Sequence, residues 1–222
     1  MLHYLQDLLQ ALNFHSIWDA VLRVAAIFLC LTVHETCHGL AAYTLGDPTA
    51  KFMHRLSLNP LRHIDWFGLA MMFVAGFGWA KPVPVDPRYF KNPKKGMALT
   101  ALAGPASNFV LAFLAIFICR GIYLYAPYTP LTAGLFEFLL YLVAPLSIGL
   151  GLFNLLPIPP LDGSKVLFAL LPDDRYFQLM RYERYGMIVL LVLSFIGIGQ
   201  GFIGTAIQAL YSGMFNLIFR GV

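Results

Sequence analysis

Between Phe28 and Gly46 the sequence runs FLCLTVHETCHGLAAYTLG. Three of its side chains, His34, Glu35 and His38, can do chemistry that the apolar residues around them cannot. Residues four apart on an α-helix project from one face, about 6 Å apart along the axis, so imidazoles at 34 and 38 can reach a single ion. A glutamate directly after the first histidine completes H-E-x-x-H, in which two histidines hold Zn²⁺ and the glutamate acts as general base on the metal-bound water. The ion brings the pKa of that water to about 7. Neutral imidazole supplies a ligand that carries no charge of its own.

The elements that must position these groups are apolar. Of 222 residues, 59% are hydrophobic and 12% charged, against about 45–50% and about 25% in soluble domains. No formal charge occurs from Gly96 to Cys119, from Phe138 to Leu161, or from Gly186 to Phe219, and about 20 apolar residues cross a bilayer. The expected architecture is an all-α polytopic membrane protein with about four transmembrane helices, over 17–45, 97–120, 136–157 and 187–210. A further segment, about 66–80, is too short for a helical span. Its glycines, followed by KPVPVDP, predict a re-entrant or β-hairpin-like excursion. Residues 1–222 are expected to form one membrane-embedded domain, with the first span acting as its own signal because no basic start precedes a clean apolar core. In such a setting an ionisable residue costs a few kcal/mol, so a cluster of them marks function.

Orientation follows from the basic loops. Residues 47–65, 81–95 and 162–186 carry most of the lysines and arginines, whereas 121–136 is uncharged. The basic segments are therefore expected in the cytosol and the neutral one outside. The net charge of +4 needs only this explanation and implies no nucleic-acid partner. Cys30, Cys37 and Cys119 form no C-x-x-C pair and read as small packing residues. Cys37 lies near the His34 face, where packing is again the simpler role.

Catalytic zinc takes three protein ligands and keeps a fourth position open. Candidates for the third are Asp65, Glu137 and Asp162. Glu137 is expected at the external end, away from His34 and His38. Asp65 follows a polar, Asn-Pro-punctuated segment and suits a loop anchor. Asp162 follows three prolines in NLLPIPPLDGSKVL, a helix break that membrane depth tolerates only where it is buried or lines a cavity. Asp162 is the preferred ligand. His54 and His63, in a basic loop, are expected to be solvated or interfacial.

These segments resemble the site-2 protease family of intramembrane zinc metalloproteases, in particular a small bacterial branch without a PDZ domain. HETCHG (34–39) resembles the first family signature and NLLPIPPLDGSKVL (154–167) the second. RLSLNPLRHID (55–65) with GWAKPVPVDP (78–87), and ALAGPASN (101–108), resemble the branch's loop and its next span. The resemblance implies one Zn²⁺ per chain on His34, His38 and Asp162, with Glu35 as base. It further implies that Asn154 and Asn108 assist substrate or transition-state binding. Ser164 departs from the pattern, standing where the family often has a second glycine, and His54 and Trp66 are larger than expected.

The implied function is hydrolysis of a peptide bond in or near a transmembrane segment of a membrane-protein substrate, in a multi-pass bacterial inner-membrane protein with its active site toward the cytosol. A substrate helix must unwind before attack, and the excursion could capture the unwound strand by β-addition. Two other readings use the same residues: a catalytically inactive membrane scaffold, and a metal-binding or transport protein. Transport would need ligands at several depths, and a di-iron oxidase would need more histidines within spans.

Overall fold

The computed structural model describes residues 17–68, 80–181 and 200–221, together with Gly186, Ile188, Leu190 and Val192. Residues 69–79, most of the expected excursion including Gly76 and Gly78, lie outside the described residues. So does most of 187–210 before Gln200, and the region preceding the first span.

Helix α1 spans Ile17–Thr44. It stops where Gly46, at φ +108°, turns the chain back and Asp47 N–H donates to the Ala42 carbonyl at 2.9 Å. A positive φ of this kind favours glycine because a Cβ would clash. The short α2, Thr49–Phe52, follows, then single 3₁₀ turns at Pro60–Arg62 and Pro87–Tyr89. Helix α3 runs Pro93–Tyr125, about 50 Å at 1.5 Å per residue. It begins four residues before the expected 97, because the Asn92 side chain accepts from Lys95 N–H at 3.0 Å and Pro93 occupies the first turn, where no N–H is needed. Lys94 and Lys95 therefore belong to the helix rather than the preceding loop.

The uncharged stretch 121–136, expected as an external loop, is largely helical. Helix α3 extends to Tyr125, and α4, Pro130–Glu137, starts from a capping box in which Thr129 and Thr132 satisfy each other's backbone N–H groups. Only Ala126–Thr129 separate the two helices. Lack of charge bears on the expected side of the membrane and not on backbone conformation, whereas Pro130 behind a threonine cap marks a helix start. From α4 the chain passes through a π-helical turn, Phe138–Val143, into α5, Ala144–Asn154. Helices α6, Asp162–Phe168, α7, Asp173–Arg181, and α8, Gln200–Ile218, follow among the described residues.

The architecture is that of an all-α membrane protein, without a strand among the described residues. Ile17–Thr44, Pro93–Tyr125 and Pro130–Asn154 are long and apolar enough to cross a membrane. They meet in a core of mostly small side chains, with Ala26, Cys30, Ala112, Ala115, Cys119 and Ala144 all buried around Val143 and Ile148. Without a hydrophobic drive between helices in lipid, small residues permit the close approach that holds them. The outward faces carry Phe113, Phe117 and Tyr141, as a lipid-facing surface requires. One buried polar group beside this packing is paired: Ser147 Oγ donates to the Asn108 carbonyl at 2.9 Å.

Candidate metal centre

The three side chains picked from separate motifs converge. His34 and His38, one turn apart on α1, bring their Nε2 atoms within 2.9 Å of each other. Asp162 Oδ2 lies 3.2 Å from His34 Nε2 and 3.1 Å from His38 Nε2. All three residues are buried, with 4%, 8% and 9% of their surface exposed. Among the described residues this is the group of histidine, cysteine, aspartate and glutamate side chains arranged to hold a metal ion. Ligand atoms around a tetrahedral Zn²⁺, at about 2.0–2.1 Å from the ion, are roughly 3.3 Å apart. The triangle observed here needs to open by only a few tenths of an ångström, and the donor set, two imidazoles and a carboxylate, suits zinc.

Each donor is fixed by a different part of the fold. His38 Nδ1–H donates to the Thr100 carbonyl of α3 at 2.7 Å, which leaves Nε2 as the lone-pair nitrogen aimed into the site. A metal-binding imidazole typically has its other nitrogen held in this way. The α3 backbone can come this close because position 104 is glycine. A Cβ there would sit 2.3 Å from His38 Nε2 and 2.7 Å from His34 Cε1. Asp162 stands in the first turn of α6. The turn before it, with a cis Pro159–Pro160 peptide, closes by Leu161 N–H to the Ile158 carbonyl at 2.9 Å. Gly163 lets α6 rest on the end of α5, since a Cβ would meet the Leu155 carbonyl at 2.1 Å. Ser164, unusual by the resemblance, donates its hydroxyl to the Leu161 carbonyl at 2.7 Å and so ties down the first turn of α6 with a side chain.

Glu35 is half-buried on α1. Its Oε2 accepts the Val83 N–H at 2.8 Å. Asn108 is fully buried, one turn beyond Gly104 on α3, and its Nδ2 has no partner among the described residues. Asn154, the last residue of α5, donates its Nδ2 to the Leu150 carbonyl of its own helix at 3.0 Å and is not brought into the triad.

The rejected ligands go elsewhere. Asp65 accepts the Gly68 N–H at 2.9 Å, a local anchor, and Glu137 is exposed on α4. Cys37 is a half-buried free thiol outside the triad. His54 is exposed with φ +55°. Of the two expectations for His63, solvated or interfacial, the first is corrected: it is 3% exposed, and its Nε2 bonds the Ser57 carbonyl at 2.8 Å. Reading the residues one by one missed Gly104, whose role depends on a neighbour 66 positions away. The only trace of it in the sequence is a glycine inside an otherwise helical apolar run.

Residues 122–197 match the family model described as Peptidase family M50, a stretch that includes the Asp162 segment but not α1. The chain is 47% identical over 95 residues to "Putative zinc metalloprotease YwhC" of Bacillus subtilis (strain 168), covering 43% of each chain. It is 28% identical over 120 residues to "Putative zinc metalloprotease Rip2" of Mycolicibacterium smegmatis (strain ATCC 700084 / mc(2)155), covering 51% of this chain and 45% of that one. The match thus spans less than half the length of these curated relatives. No solved structure matches. Over residues 122–197 the chain is thus similar to peptidase family M50, and over 95 and 120 residues to two proteins named as zinc metalloproteases.

Proposed function

We propose that this chain is an intramembrane zinc metalloprotease that hydrolyses a peptide bond in or near a transmembrane segment of a membrane-protein substrate. The observation that carries the reading is the triangle of Nε2, Nε2 and Oδ2 atoms with sides of 2.9–3.2 Å. It lies at the meeting of helices long and apolar enough to cross a membrane. His34, His38 and Asp162 would hold one Zn²⁺, which would supply Lewis acidity and lower the pKa of a water there.

The remaining work falls to the protein. Glu35 takes a proton from the attacking water at its carboxylate and returns it to the leaving amine. Thr100 holds His38 in the tautomer that presents a lone pair. Asn108 offers a buried N–H donor to a substrate carbonyl, which gives that otherwise unpaired amide a use. Asn154 keeps its free oxygen for an unwound substrate strand. The domain acts within a bacterial inner membrane, with the site opening toward the cytosolic side. A substrate helix must lose its own hydrogen bonds before its backbone can reach these groups.

The test is zinc content after purification in detergent and exchange into metal-free buffer. Wild type should carry about one zinc per chain. Glu35→Ala should keep it and abolish proteolysis, while His34→Ala and Asp162→Ala should lose it. Well-folded wild type without zinc would favour a scaffold role. Zinc unaffected by Asp162→Ala would remove this aspartate from the centre.

A further inference from the structure

The proposed base is held by a segment with its own anchors. Residues 80–86, AKPVPVD, run beside α1 without forming a helix. Prolines at 82 and 84 leave N–H groups at 80, 81, 83, 85 and 86. Three of these five have partners that tie the strap to other parts of the fold. Lys81 N–H donates to the His63 carbonyl at 2.9 Å, Val83 N–H to Glu35 Oε2 at 2.8 Å, and Asp86 N–H to Asp47 Oδ2 at 2.7 Å. Arg55 adds hydrogen bonds from its guanidinium to the Lys81 carbonyl at 2.6 Å and the Pro82 carbonyl at 3.2 Å. Val83 is buried against Gly39 of α1, where a Cβ would come within 3.1 Å of it.

Asp47 is the unexpected partner. It is fully buried, yet no cation pairs with it among the described residues. Its other oxygen, Oδ1, accepts from Thr49 N–H at 2.9 Å and from the Thr49 hydroxyl. A buried carboxylate without a cation is costly unless fully hydrogen-bonded; here three donors meet that need, and one comes from a residue 39 positions away. The geometry is matched. Asp47 folds back to Ala42, seven residues beyond Glu35 on α1, or about 10.5 Å. Three near-extended residues, Val83 to Asp86, cover roughly the same distance.

We propose that Asp47 is a positioning residue for Glu35: by holding Asp86 N–H it sets the register of the 80–86 strap along α1, so that Val83 N–H fixes the Glu35 carboxylate beside the His34–His38–Asp162 group. This rests on the protease reading above. Asp47→Ser keeps a side-chain cap for Thr49 N–H but is too short to reach Asp86. Asp47→Asn keeps one oxygen and turns an amide donor toward another donor. The two variants allow the test to proceed if one of them folds poorly.

Three quantities are measured on the full chain in detergent: zinc per chain, hydrogen exchange of the peptide covering 80–90, and turnover of a fluorescein-labelled peptide that carries an apolar transmembrane segment. Both variants should keep about one zinc and exchange faster over 80–90. Their kcat should fall roughly tenfold to hundredfold, as expected for a mispositioned base, with KM changed by less than about twofold. Thr49→Val, which removes one donor to Asp47 but leaves Asp86 bound, should behave as wild type. Unchanged exchange in both variants overturns the proposal, as does faster exchange with an unchanged kcat. A loss of activity that only parallels a loss of zinc overturns it too, since the effect would then lie in the metal centre. Wild type that is zinc-free and inactive would instead refute the protease reading itself.

Discussion

Helices α3 and α8 are both apolar and rich in small residues, yet those residues do different work. On α3, Gly104 faces the two histidines so closely that no Cβ would fit, and Gly96, Ala101, Ala112 and Ala115 are buried. On α8, a Cβ added at Gly201, Gly204 or Gly213 would meet nothing within 4 Å among the described residues. A glycine in an apolar helix therefore carries no fixed meaning. It signals close approach only where another element arrives, and in α3 that element is the candidate metal centre itself. The two helices also differ in what they join. Helix α3 holds the His38 ring through the Thr100 carbonyl and packs against α1, α5 and α6, whereas α8 leans on α5 and on α3, whose Arg120 donates to the Ile218 carbonyl at its end.

Substitutions with one methyl group should separate the two helices. The largest effect is expected from Gly104→Ala. The new Cβ would collide with His38 Nε2, and the ring cannot swing away while Nδ1 is held by Thr100 and Nε2 faces His34 and Asp162. Zinc affinity should fall by about 10–100-fold, read by competition with a chelating dye. Gly163→Ala comes next. Its Cβ would strike backbone, the Leu155 carbonyl at 2.1 Å, so α6 must lift off α5. That should cost about 1–3 kcal/mol in thermal or denaturant unfolding and weaken zinc by displacing Asp162. Gly204→Ala or Gly213→Ala should do least. With open space around each, the gain in helix propensity is about 0.5–1 kcal/mol, seen as a small rise in unfolding temperature at unchanged zinc content. A loss of zinc in Gly204→Ala would show that α8 is coupled to the centre.

Much of this was legible in advance because it is local. The 34–38 spacing on one helix face follows from the helical period alone. The proline-broken segment before Asp162 marked an irregular turn at membrane depth, and Asp162 does stand with the histidines. Boundaries were less legible. Asn92 and Thr129 start helices earlier than the charge pattern suggested, because a side-chain cap outweighs two lysines or a run of neutral residues. His63 was misjudged for a related reason: its burial is created by the Ser57 carbonyl and the fold of its loop, neither of which a single residue announces.

By itself, the sequence determined which side chains could act: two imidazoles at ligand spacing, a carboxylate between them, a second carboxylate behind a helix break, and apolar helices to carry them. The tertiary structure alone decided which backbone groups serve them. The Thr100 carbonyl on His38, the Val83 N–H on Glu35 and the Asp86 N–H on Asp47 all come from groups that nearly every residue possesses. Peptide groups look alike in the sequence, so which one reaches a given side chain is set by how the helices and the strap pack together.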